Sequence, residues 1–164
     1  MTDQDRLPGQ WADELADLYR LADCRPEQVE GVGWLALRLL GDSSIDYAPS
    51  GQLEPVRLLD GPWRILVSPE LDDAELTLAI ARALAVWWFS RFASRAPDAA
   101  DVASLAAAIA VPLPALTQEI DRVGDDVEEL SESFNVPVDF MIDRLRLLQR
   151  TGRSGTYSRL VEAS

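Results

Sequence analysis

The chain of 164 residues contains no histidine and no lysine; all 15 of its basic residues are arginine. The missing histidine removes imidazole zinc sites and the Ser-His and Cys-His pairs that activate a hydrolytic nucleophile. The missing lysine removes Schiff-base chemistry and the lysine of a phosphate-binding P-loop. A single cysteine, Cys24, can neither close an internal disulfide nor assemble a thiolate metal site. Basic charge as a whole is short, with a net charge of −13 and a sequence pI near 4.3. Such a field repels a phosphate backbone, so nucleic acid is an unfavoured partner. Long hydrophobic runs are also lacking. The longest, Leu76–Phe89, is interrupted by Arg82 and falls short of the about 20 residues of a membrane span. Met1–Gln10 is polar and acidic, without the apolar centre of a signal peptide. These absences predict a soluble cytoplasmic protein with no membrane contact.

What is present is a chain 48% hydrophobic, rich enough to fold and long enough for one domain around one core. We expect that domain over 1–150 and a loosely held tail over 151–164. Charge is uneven: residues 131–164 sum to +1, which leaves −14 on the rest. The arginine-rich end reads first as a solvated helix face.

Apolar spacing predicts amphipathic helices over 9–23 and 27–40, with Gly41-Asp42 ending the second. The GVGWLA segment (Gly31–Ala36) is similar to a glycine-rich phosphate loop, but no strand precedes it and no third glycine follows. A helix kinked for close packing is the preferred reading. Ser44–Tyr47, Pro55–Leu59 and Trp63–Ser68 are short runs separated by turn residues, Asp60-Gly61 among them. They predict a small, mostly antiparallel sheet of about three strands. Asp72-Asp73 then opens a helix over 72–94 that is apolar almost all round, the mark of a centrally buried helix. Further helices are expected over 98–111, 114–123, 125–134 and 138–150. The last carries Phe140, Ile142, Leu145 and Leu148 as candidate core residues.

Three segments bear a likeness that composition does not supply. RILVSPELDDAELTLAIARAL (Arg64–Leu84) is a strand followed by a helix. LAAAIAVP (Leu105–Pro112) is an alanine-rich segment ending at proline. VEELSESFNVPVDFMIDRLRLL (Val127–Leu148) is a helix pair about an Asn-Val-Pro turn. Their order and spacing over 60–150 resemble the ImmA/IrrE family of metallopeptidase-like proteins. The resemblance implies an α+β, mostly helical, zincin-like fold with a small three-stranded sheet and a helix-turn-helix-like C-terminal helix pair. It also places the family's zinc motif on this chain. The first ligand histidine falls on Ile80, the general-base glutamate on Ala81, the second histidine on Leu84, and the downstream acidic ligand near Asp101. Two imidazoles one helical turn apart grip the metal and the glutamate activates water. Ile80 and Leu84 keep that spacing with methyl groups only. The expectation is therefore a pseudo-peptidase with no catalytic residues, no metal and no cofactor.

The resemblance further implies a regulatory or adaptor role. Active relatives act on DNA-binding repressors, so a repressor, an antitoxin or another stress-response or mobile-element regulator is the expected protein partner. Active zincins take substrate along the edge strand beside the zinc helix. Trp63, Ile65 and Val67 would be that edge here, open to strand addition. Two other readings stand beside this one: a structural homodimer, or an enzyme built on carboxylates. The acidic pairs Asp72-Asp73, Asp125-Asp126 and Glu128-Glu129 all lie at expected helix starts, where the helix dipole explains them. Core packing claims at least one of Trp87 and Trp88, and the other is a candidate for an exposed partner surface. The Asn135-Val136-Pro137 turn is read as structural, because the helices on either side of it carry acids.

Overall fold

The computed structural model describes residues 11–24, 31–42, 44–49, 56–59, 63–94 and 96–150. Seven helices and three strands follow one another among them: α1 (Ala12–Leu21), α2 (Val32–Leu40), β1 (Ile45–Tyr47), β2 (Val56–Leu59), β3 (Arg64–Val67), α3 (Asp73–Phe92), α4 (Ala99–Ala110), α5 (Leu113–Val123), α6 (Val127–Phe134) and α7 (Val138–Arg150). The chain is thus α+β, mostly helical, with one small mixed sheet. The Asp60-Gly61 turn, Leu148's side chain and the 151–164 tail lie outside the described residues. No single described helix is long and apolar enough to cross a membrane.

Helix starts are set by local chemistry. Asp72 accepts from the Glu75 amide while the Glu75 carboxylate reaches back to the Asp72 amide, a reciprocal cap that opens α3. Asp98 and Asp101 repeat the arrangement at α4. Asp126 accepts from the amides of Glu128 and Glu129 and opens α6. The paired acids thus behave as the helix dipole requires.

α3 is the axis of the molecule. Its buried residues, from Thr77 through Trp88, fall on several faces, because helices and sheet surround it. The alanines of α4 let it approach α3 closely. Both Trp87 and Trp88 are buried, at 5% and 7% exposure, and each packs against Phe92. The exposed tryptophan expected of that pair does not occur. A continuous apolar cluster gathers residues from α1 to α7, including Leu18, Leu84, Leu105, Leu116, Leu130 and Leu145. In α7, Met141, Arg144 and Leu145 are buried, whereas Phe140 and Ile142 are only half-buried.

The sheet corrects two expectations. Its strand order is β1-β3-β2, with β1 parallel and β2 antiparallel to β3. It is therefore evenly mixed rather than mostly antiparallel. More consequentially, β3 is the central strand and not an edge. Ile45 faces Ile65 and Tyr47 faces Val67 on one side, and Val56 faces Val67 on the other. Ile65 and Val67 are fully buried, and half-buried Trp63 leads into the strand. The reason is physical: the most apolar strand gains most by being covered on both flanks and on its core face. Trp63, Ile65 and Val67 have no free strand margin to offer a partner.

Candidate functional site

The turn between α6 and α7 fixes one wall of a cleft. Asn135 adopts the left-handed conformation, with φ 51°, which asparagine tolerates better than most residues. This aims its side-chain amide at the start of α3. There Nδ2 donates to the Asp73 carbonyl at 3.1 Å and to Thr77 Oγ1 at 3.2 Å, while Thr77 Oγ1 donates to the same carbonyl at 3.1 Å. The network ties segments about 60 residues apart in sequence.

The cleft that results encloses about 470 Å³, within the range of small-ligand sites. Ile80, Leu76, Ile109 and Phe134 supply apolar surface; Tyr19 and Cys24 enter from the end of α1, and Gly31 to Leu35 from the start of α2. Asp73 is the one ionised group among its described lining residues. Tyr19 is 7% exposed, and burial, with Cys24 beside it, raises its pKa above the usual tyrosine value. The phenol stays protonated at neutral pH and is a hydrogen-bond donor.

Ile80, the position the resemblance gives to the first zinc ligand, is thus on the cleft wall. Ala81 and Leu84 are wholly buried in the core instead. Asp101 is also wholly buried, but at the other end of its helix. Ile109 and Ala110 of α4 line the cleft with Ile80. Asp101 lies eight residues before Ile109, about 12 Å along the helix axis. Its carboxylate accepts from the Asp98 amide. Methyl groups and one distant, hydrogen-bonded carboxylate do not fit a zinc ion. Among the described residues no group of three or more Cys, Asp and Glu converges as a metal would require.

Sequence reasoning missed Tyr19, Gly31, Gly33, Trp34 and Asn135 as parts of one site. The glycines carried the available signal, since Gly-Val-Gly ahead of an apolar helix is where backbone would face a ligand. A second groove, of about 460 Å³, runs between α1 and the end of α3 and is lined by Leu21, Trp88, Phe89 and Phe92. Leu21 and Phe92 are about half exposed there, with Glu14, Asp17 and Arg20 beside them. Compared with models of known families, with curated proteins and with solved structures, the chain matches none.

Proposed function

We propose that this protein is a catalytically inactive relative of ImmA/IrrE-type zincins, working in the cytoplasm as a regulatory module that binds a segment of a protein partner in the cleft. The order of strand, buried helix, alanine-rich helix and closing helix pair supports the family reading. One observation carries the functional reading: Ile80, which the resemblance aligns with a metal ligand, presents hydrocarbon to a cleft of peptide-accommodating size. A cleft whose lining is apolar with a few placed polar groups holds ligands by burial and orients them by hydrogen bonds. Hydrolysis would need a water-activating group, and Ala81 stands where the general base belongs. A DNA-binding repressor or an antitoxin is the partner class that the resemblance favours. The partner segment does not add to β3, whose flanks are taken.

Display of random peptides against the purified protein tests this reading. Gly33 lines the cleft, and a Cβ placed on it meets no atom within 4 Å. Gly33→Leu therefore fills the cleft without a clash at its root. Wild type should enrich peptides sharing an apolar anchor, and the Gly33→Leu variant should not. Equal enrichment by both proteins, or no common anchor, would remove the cleft from the function.

A further inference from the structure

We propose that the groove between α1 and the end of α3 is where two copies of this chain meet, in a symmetric dimer in which each copy seats its Leu21 and Phe92 against the other. The groove lies at the opposite end of α3 from the cleft, which takes Asp73, Thr77 and Ile80 from that helix. The inference therefore stands apart from the binding reading above.

Five large hydrophobic side chains are exposed among the described residues, and two of them stand at this one groove: Leu21 on α1, 53% exposed, and Phe92 on α3, 47% exposed. Trp88 and Phe89 line it with them. Phe92 is not a loose side chain in water. Its ring centre lies 4.4 Å from that of Trp88 and 6.0 Å from that of Trp87, the second pair edge to face. A ring held by two others and open on its far side has little freedom left to lose when a partner covers it.

Charge selects the occupant. The chain as a whole carries −13, so its overall field repels a second copy. At the groove the signs balance. Glu14 and Asp17 are offset by Arg20, which lines the groove with them, and by Arg91, whose guanidinium lies 5.8 Å from the centre of the Phe92 ring. Asp17 and Arg20 pair with each other at 2.7 Å. Glu14 and Arg91 have no ion-pair partner among the described residues. A twofold contact sets the same patch against itself, so the free acid of each copy meets the free arginine of the other. A cationic partner gains more from the acidic faces elsewhere on the chain. A second copy gains most where its own acids are already offset and apolar side chains stand ready for burial.

Sedimentation equilibrium on the full chain, from about 1 to 100 μM, tests the assignment. Wild type should pass from monomer to dimer across that range. Leu21→Ser and Phe92→Ser should each raise the dimer Kd at least about 10-fold, since symmetry makes each change remove its contact twice. Glu14→Arg and Arg91→Glu should each be monomeric alone, because like charges then face one another. An equimolar mixture of those two variants should restore the dimer, because both cross-contacts regain opposite signs. That mixture leaves the apolar residues in place, so it decides the matter even where circular dichroism shows a serine variant losing helix. A dimer indifferent to Leu21→Ser and Phe92→Ser overturns the inference, as does a mixture that stays monomeric. Wild type monomeric throughout overturns it too; a synthetic amphipathic helix of Leu and Lys that then bound wild type but not Phe92→Ser would give the groove to a cationic partner instead.

Discussion

Replacing Arg144 by methionine should leave the protein as stable as before or make it more so. Arg144 is 6% exposed, and its one hydrogen bond runs from Nη2 to the Val111 carbonyl at 3.3 Å. Its buried Nε has no partner, and among the described residues it forms no ion pair. Burial lowers its pKa to about 10. At 1.36 kcal/mol for each tenfold change in the protonation equilibrium, that corresponds to about 3 kcal/mol of unrelieved desolvation. Methionine has a similar reach, carries no charge and fills irregular space well. Its introduction leaves the Val111 carbonyl, at the C-terminal end of α4, without its donor, at a cost of about 1–3 kcal/mol. The two effects nearly cancel or favour methionine by about 2 kcal/mol, as replacements of buried charge often do. Urea unfolding at pH 7 measures the difference. The sign with pH is a second check. Above about pH 10 the folded protein sheds this proton while the unfolded chain keeps it, so the desolvation cost fades and any advantage of methionine shrinks. A loss greater than about 2 kcal/mol in Arg144→Met would refute the reasoning, because it would require a strong partner for the guanidinium.

Two further outcomes follow from the geometry. Asn135→Gly keeps the left-handed turn but loses the bonds to Asp73 and Thr77, and should cost about 1 kcal/mol. Asn135→Ala adds about 1–2 kcal/mol of backbone strain to that loss, so urea midpoints should fall in the order wild type, Gly, Ala. Hydrogen bonds from the Arg122 guanidinium hold Glu119 down at about 2, against an ordinary value of 4.5. That stabilisation is complete above pH 4.5 and is lost as pH falls towards 2. Thermal melts of Glu119→Gln should therefore lie below wild type at neutral pH and converge with it across that window.

How legible each part was depended on how far its causes reach along the chain. The starts of α3, α4 and α6 were readable because Asp72, Asp98 and Asp126 bond to amides two or three residues away. The break at Asn135-Val136-Pro137 was readable for the same reason. The three strands were visible as separate runs, but their order was not. Placing β3 between β1 and β2 requires partners 5 to 11 residues away on one side and 20 on the other, and a rule borrowed from resemblance put it at the margin instead. The cleft was least legible. Tyr19, Gly33, Ile80, Ile109 and Asn135 come from five separate parts of the chain and meet only after folding. Arg144 was counted with a solvated, basic face, because arginine is seldom fully buried and nothing in its immediate sequence marks it as an exception.

With its most apolar strand enclosed, the sheet has, among the described residues, no strand paired on the outer flanks of β1 and β2, three and four residues long. An incoming strand laid against either would find a landing strip of a few hydrogen bonds, half of whose groups point inward to the strand already paired. Brevity at the borders is a common defence against runaway growth of β-structure. The same shortness leaves an added strand little backbone to hold on either flank.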